Sequence, residues 1–272
     1  MLALITAIGA TGLQLYRHYE HETREIAQNL VTAVARQKAQ TLELWLDQQA
    51  SGAGAYQFAV DLRTELARLV TGREVSAALR IQERLATQRW PSDSVLLLDA
   101  QGAPLIATAQ LGEISAALGD RVRAAAATGT AQMHFLHRDK DLSGSPIFLD
   151  YLVPLTSPEG GGAPLAVLVL RHDPYRFFFP HIQTWPGTSA SAETLLVRRE
   201  GDQVLFLNTL RHQADSALRM TRPRTELTLP AAQALFGLPR LEKNLDHRGI
   251  EVIYDHRPIS GTEWQLVAKI DA

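Results

Sequence analysis

The chain begins with an uncharged apolar stretch that ends abruptly. Residues 2–16 carry no charge, and Arg17 opens a run rich in charged residues. Such a boundary is typical of a membrane–water interface, although a spanning helix needs roughly 20 apolar residues. We therefore predict a partial transmembrane helix at residues 1–16. A buried or interfacial helix is the alternative, whereas a secretory signal peptide would need a basic segment before the apolar run.

Helical periodicity continues beyond this boundary. Apolar residues recur at helical spacing from Ile26 to Trp45, with charged residues between them, and no proline occurs before Pro91. The pattern predicts a stalk helix at residues 17–58, weakly broken at 51–54, and further helix from about Val60 to Gln88. At 1.5 Å per residue, forty helical residues reach roughly 60 Å, which is longer than a compact lobe is wide.

A first group of strands follows the helical region. Residues 94–100 and the return after the Gln101-Gly102 turn predict a hairpin, and a short helix is expected at about 114–127. Three further apolar runs, separated by turn-rich segments, predict three more strands at 131–139, 146–155 and 163–173. Five strands with helices predict an antiparallel sheet covered on one face, of the α+β class.

The pattern then repeats more briefly. Residues 191–212 predict two strands around a turn at 200–202, a helix is expected at 230–236, and residues 249–271 predict two more strands. An aromatic, proline-bounded connector at 174–186 lies between the two groups. We therefore predict two lobes, at residues 59–180 and 181–272.

Composition excludes several classes of protein. The 272 residues are 46% hydrophobic and 21% charged, which is typical of a folded globular chain. A net charge of -2 gives no field that would concentrate nucleic acid, so no nucleic-acid partner is expected. The absence of cysteine excludes disulfides and thiolate metal sites, and it is compatible with the bacterial periplasm.

No motif indicates an enzyme. The sequence contains no His-Glu-x-x-His, Gly-x-Ser-x-Gly, P-loop or Gly-x-Gly-x-x-Gly motif. His134 and His137 are three apart in a predicted strand, so they would lie on opposite faces and could not chelate together without a bulge. We predict no catalytic residue, no metal site and no cofactor.

A candidate ligand site follows from strand alternation. A charged residue inside an apolar strand must be paired or must face a wet cavity, and Asp150 is the clearest instance. Arg138 or Arg171 could bind a ligand carboxylate while Asp150 receives an ammonium or hydroxyl group. An internal salt bridge between Asp150 and an arginine is the competing interpretation. The candidate ligand-binding residues are Trp90, His134, Arg138, Asp150, Tyr151, Arg171 and Asp173.

The order of membrane boundary, long helix, larger lobe and smaller lobe is similar to that of the double-Cache family of bacterial extracytoplasmic sensors. The segments SAETLLVRREGDQVLFLNTLRH and HRGIEVIYDHRPISGTEWQLVAKID resemble the second lobe of that family. The resemblance implies PAS-like lobes, with a small ligand in the membrane-distal lobe at 59–180 and usually none in the membrane-proximal lobe at 181–272. It also implies a second transmembrane helix soon after Ala272.

The sequence leaves two functional hypotheses. The first is a periplasmic ligand sensor, anchored in the bacterial inner membrane, that signals to a histidine kinase or cyclase outside this chain. An apolar stripe on a long helix favours a partner helix, so a homodimer through the stalk is expected. The second hypothesis is a structural or protein-interaction ectodomain that binds no small molecule.

Overall fold

The structure of the chain, a computed structural model, describes residues 2–87, 94–107, 114–139 and 146–272, and for residues 2–10, 107 and 133–135 it describes the backbone alone. The helices are α1 (Leu2–Gln57), α2 (Val60–Val70), α3 (Val75–Thr87), α4 (Ala116–Thr128), α5 (Phe178–Gln183) and α6 (Pro230–Phe236). The strands are β1 (Ser94–Asp99), β2 (Pro104–Ala107), β3 (Gln132–Arg138), β4 (Ile147–Leu155), β5 (Ala166–His172), β6 (Glu193–Glu200), β7 (Gln203–Phe206), β8 (Thr221–Pro223), β9 (Val252–Pro258) and β10 (Trp264–Asp271). A long helix followed by two antiparallel sheets confirms the predicted α+β class.

The N-terminal helix is continuous as predicted, but the weak break at residues 51–54 does not occur. Serine and glycine each cost helical free energy there, and Ala53 lies fully buried in the core beneath the first sheet. Packing of this face therefore outweighs the unfavourable helix propensity. The break comes instead after Gln57, before α2 begins at Val60.

The single helix predicted at about Val60 to Gln88 is two helices. Residues 71–74 separate α2 from α3, and Arg73 adopts a positive φ of 54°. The amide of Glu74 donates back to the carbonyl of Arg68, which closes the end of α2. The apolar faces of both helices then pack on the same core.

The first sheet has the order β2-β1-β5-β4-β3, and all its pairs are antiparallel. One face packs on α2, α3 and Ala53, and the other packs on α4. The prediction that one face alone would be covered was wrong. The sequence of β5 indicated that both faces are covered, because it begins with an uninterrupted apolar run instead of alternating. All seven residues of β5 are buried.

The second sheet has the order β8-β7-β6-β10-β9. The four predicted strands are present, and their core is shared with α6, which begins and ends where the sequence predicted. The additional strand, β8, is three residues long with the sequence Thr-Arg-Pro, so it carries no apolar signal. It is recognised by its pairing with β7 alone.

The chain divides into two compact units. The first lobe comprises Leu44–Phe177, and the second lobe comprises Met1–Glu43 with Phe178–Ala272. Each lobe contains one five-stranded sheet. The border predicted at residues 180 and 181 falls inside α5, whereas the division into units falls at the first residue of that helix.

Across the described ranges, no helix has an apolar stretch long enough to cross a membrane. The uncharged residues 2–16 form the first turns of α1. The partial transmembrane helix at residues 1–16 therefore stays a prediction.

Candidate functional site

A buried ion pair joins two neighbouring strands of the first sheet, β4 and the central strand β5. Asp150 on β4 is fully buried and stands directly opposite Arg171 on β5 in the strand register. Arg171 Nε lies 2.8 Å from Asp150 Oδ1, and its Nη2 lies 2.7 Å from Oδ2. This two-pronged geometry is the strongest arrangement that an arginine and a carboxylate form.

The surroundings of Arg171 favour its charged form. Burial alone would lower the pKa of Arg171, but the hydrogen bonds and charge of Asp150, together with Asp139, raise it above its usual value. The guanidinium carbon also lies 3.9 Å from the centroid of the Phe148 ring, where a cation–π interaction adds to the pair. The cation is therefore held from two sides.

A β-bulge brings a histidine to the same place. His134 pairs with Asp150, and His137 pairs with Phe148, so β3 advances by three residues while β4 advances by two. The extra residue reverses the alternation assumed from the sequence. As a result, His137 Nε2 lies 3.6 Å from Asp150 Oδ2, although the sequence predicted His137 on the face opposite His134.

The structure brings together only part of the predicted site. Tyr151 packs against the core on the α2 and α3 side, whereas Asp150, on the same strand, shares its face with Leu152 on the α4 side. Asp173 follows β5 and accepts a hydrogen bond from the backbone amide of Tyr175 at 2.9 Å, which makes it a turn residue. Neither observation supports a direct place beside the ion pair.

The remaining predicted residues lie at the margins of the site. Arg138 is half-buried at the last position of β3, paired with Ile147. His134 pairs with Asp150 through the backbone, and its side chain lies outside the description. Trp90 lies outside the described residues altogether. Their part in ligand binding stays a prediction.

Sequence reasoning missed His137 as a neighbour of Asp150, because the bulge depends on how β3 pairs with β4. The strand contains two histidines, His134 and His137, and strict alternation assigned them to opposite faces.

Asp150 and Arg171 satisfy each other's hydrogen bonds, but a ligand could replace either partner. Both carboxylate oxygens of Asp150 accept from Arg171, so the pair satisfies itself in this state. A ligand that carries both an anion and a cation could divide the pair by offering each partner a replacement. In the described part of the chain, no group of three or more histidine, aspartate or glutamate side chains is placed to hold a metal ion.

No protein-family model matches the sequence, and a comparison with curated proteins gives no match. Solved structures do match. The ligand-binding domain of Mlp24 with asparagine has a TM-score of 0.58 at 11% identity, with 91% of this chain and 95% of that chain covered. The ligand-binding domain of the Pseudomonas fluorescens chemoreceptor CtaA with L-isoleucine has a TM-score of 0.56 at 14% identity, with coverage of 93% and 95%.

A third match is the ligand-binding domain of the Pseudomonas aeruginosa PAO1 amino acid chemoreceptor PctB in complex with L-Gln. Its TM-score is 0.54 at 15% identity, with 89% of each chain covered. The fold of this chain is therefore that of the ligand-binding domains of bacterial chemoreceptors. The predicted resemblance to two-lobed extracytoplasmic sensors is confirmed at the level of the fold.

Proposed function

We propose that the chain is the ligand-sensing domain of a bacterial signal-transduction receptor. The observation that carries the proposal is a fold shared with chemoreceptor ligand-binding domains over 89–93% of this chain. These neighbours favour a small-molecule sensor over a protein-interaction ectodomain. The domain itself is non-catalytic, and a histidine kinase or cyclase output would belong to another part of the receptor.

The ligand class that we propose is a small molecule with a carboxylate and an ammonium group. The three neighbouring domains were solved with asparagine, L-isoleucine and L-Gln, which all carry both groups. In the first lobe, Arg171 offers a carboxylate partner and Asp150 offers an ammonium partner, side by side and buried. Exchange of the internal pair for the ligand's two groups would keep every charge compensated.

We further propose that this region lies in the periplasm and is anchored through its N-terminal helix, with a second membrane helix after Ala272. Two contacts support a common end for both attachments. Arg24 on α1 lies 3.4 Å from Glu251, and the amide of Ala272 donates to the Glu251 carbonyl at 2.9 Å. The start of the stalk and the end of β10 therefore meet at the same end of the second lobe.

A homodimer through the stalk completes the proposal. In the second lobe, one face of α1 packs inward through Val31, Ala35 and Leu42, while another face repeats small, apolar or neutral residues at alternating spacings of three and four. This uncharged pattern is that of a coiled-coil seam. The exposed seam consists of Tyr16, Tyr19, Thr23, Ile26, Leu30, Ala33, Gln37 and Gln40.

A thermal-shift screen of the 272-residue chain tests the sensing function. The library contains amino acids, GABA, organic acids and polyamines. A ligand present at a hundred times its dissociation constant is expected to add about 2.7 kcal/mol of stability. The absence of a hit in all four classes would contradict small-molecule sensing and favour the protein-interaction alternative.

Two variants locate the site of any hit. Asp150→Asn is expected to abolish the shift because it removes the ammonium partner. Tyr151→Phe is the matched control, because the next residue on β4 faces the opposite side of the sheet. If Tyr151→Phe abolished the thermal shift and Asp150→Asn retained it, the ligand would bind on the opposite face of the first sheet.

A further inference from the structure

The second lobe contains a fully buried lysine that two carboxylates share. Lys269 on β10 has no exposed surface, and its Nζ lies 2.7 Å from Asp246 Oδ2 and 3.1 Å from Glu193 Oε2. Glu193 stands opposite Lys269 in the strand register, whereas Asp246 comes from the loop before β9. The lysine therefore joins that loop to the sheet.

Asp246 also organises its own loop. It accepts hydrogen bonds from the backbone amides of Arg248, at 2.8 Å, and Ile250, at 3.2 Å, and from the Arg248 guanidinium at 2.7 Å. Arg248 reaches in turn to Asp271, at the end of β10. The carboxylate of Asp246 thus connects the loop to the last residues of the final strand.

His247 stands beside this carboxylate without a polar partner for its ring. It is 8% exposed, and neither ring nitrogen has a hydrogen-bond partner within the described ranges. Its imidazole meets the ring of Phe206 on β7 edge-on, with centroids 6.1 Å apart. A buried polar side chain left unsatisfied in this way requires an explanation, because such groups are rare in folded proteins.

The charges near His247 come from β6, β8, β10 and its own loop, whereas β7 contributes the apolar ring of Phe206. Glu193 lies on β6, Lys269 on β10, and Asp246 and Arg248 flank it in the loop. From β8, Arg222 donates to the His247 backbone carbonyl at 3.0 Å. Two carboxylates and two cations therefore act on the imidazole ring, while Arg222 holds the backbone of the same residue.

We propose that the second lobe contains a pH sensor. Its proton-binding site is His247, and its response is the opening of the loop before β9. At neutral pH the uncharged ring stays buried against Phe206, and the loop stays closed on Lys269. Protonation places a third cation beside Lys269 and Arg248 in a buried site. The charged ring then moves into solvent and the loop opens. The ion pair between Asp246 and Lys269 weakens, and the end of β10 loses its contact with Arg248.

The direction of this response follows from the site. Burial lowers the pKa of His247, Lys269 and Arg248 lower it further, and Glu193 and Asp246 partly offset them. The open loop, in which the ring is hydrated, therefore takes up a proton at a higher pH than the closed loop does. As the pH falls below about 6.5, the open form gains population by up to about tenfold per pH unit.

This pH sensor goes beyond ligand sensing in the first lobe and does not depend on it. Hydrogen–deuterium exchange of the 272-residue chain at pH 7.5 and pH 5.5, corrected for intrinsic exchange, tests it. Peptides that cover residues 245–252 are expected to open up to about tenfold more at the lower pH. Peptides in the centre of β6 are expected to stay equally protected at both.

His247→Gln is expected to remove the pH dependence, because glutamine does not take up a proton in this range. His212→Gln is the matched control, since His212 is exposed and lies outside the cluster. An equal pH response in His247→Gln, or no response in the wild type, would overturn the proposal.

A direct titration keeps the test decisive if His247→Gln does not fold. The ring resonances of wild-type His247, assigned through their contacts to Phe206, are followed by NMR from pH 8 to pH 4.5. A midpoint below that of an ordinary histidine supports the pH sensor. A midpoint at or above about 6.5 contradicts it.

Discussion

At the scale of single residues, the buried Asp150–Arg171 ion pair has the most testable effect on the stability of the first lobe. Both side chains are buried, so the pair gains its attraction only after both charges have lost their water. Such a pair adds little beyond what apolar residues of similar size would provide, yet removal of one partner leaves an uncompensated charge. Its stability effect is therefore expected to be strongly non-additive.

We expect Asp150→Leu and Arg171→Met to lower the free energy of unfolding by about 3–5 kcal/mol each, because each removes the two-pronged partner of a buried charge. The double variant is expected to lose much less than the sum. Urea denaturation of the four proteins measures the coupling. Additive losses would show that the two groups are compensated by other residues.

The second residue-scale prediction concerns acid stability. Burial alone would raise the pKa of Asp246, but the hydrogen bond and charge of Lys269, with those of Arg248, lower it to about 2 from 3.8. A carboxyl group with a depressed pKa contributes stability above its ordinary pKa, and this contribution is lost as the pH falls through the folded value. As the pH falls below about 4, the wild type should therefore lose the stability that ionised Asp246 contributes.

Asp246→Asn is expected to cost about 2 kcal/mol at pH 7, with the difference from the wild type shrinking as the pH falls towards 2. Unfolding free energies between pH 7 and pH 2.5 measure it. Asp215→Asn provides the control, because the Asp215 side chain is 86% exposed. A constant difference across this range would contradict the assignment of the low pKa to Asp246.

Residues of the site differed in how far the sequence could predict them. Asp150 was predictable, since a charge inside an apolar strand requires a partner. Its partner Arg171 was one of two arginines allowed by alternation, and only the strand register chose between them. His137 was not predictable, because a bulge is a property of two strands together.

At the scale of secondary structure, α1 illustrates both the strength and the limit of periodicity. The helix and its length were readable from the spacing of apolar residues. However, the predicted apolar stripe divides in the structure, because Val34 and Leu42 are buried whereas Ile26 is 63% and Leu30 is 41% exposed. A sequence pattern reports that a residue is apolar but not which neighbour covers it.

We expect Leu30→Asp to weaken self-association of the chain by at least tenfold. It places like charges opposite each other in the seam of the proposed coiled coil. Analytical ultracentrifugation over a range of concentrations measures the dissociation constant. His18→Asp, which adds the same charge outside the seam, is expected to leave it nearly unchanged. Equal effects of both substitutions would argue against this face as the interface.

At the scale of the whole molecule, the two lobes have separate cores. Leu168 lies at the centre of the first sheet, and Val267 lies in the core of the second. The order of helices and strands was predictable because most elements are strongly periodic. The division into units was less so, because α1 contributes residues to both lobes although it is one uninterrupted helix.

Separate cores predict separate responses to cavities. Leu168→Ala is expected to cost the first lobe about 2–5 kcal/mol, with smaller changes in hydrogen exchange of β6 and β10. Val267→Ala is expected to produce the reciprocal pattern at a smaller cost. Hydrogen exchange under native conditions resolves the two lobes. A uniform loss of protection in both variants would indicate a single cooperative unit.

The bulge in β3 has a consequence that reaches beyond the candidate site. β3 is an outer strand of its sheet, where unpaired backbone groups could template the addition of a strand from another molecule. The extra residue between His134 and His137 interrupts the regular hydrogen-bonding edge. The opposite outer strand, β2, is only four residues long and begins with Pro104. Both outer strands of the first sheet are thereby poor templates for strand addition, which protects a sheet whose central strand, β5, is fully buried.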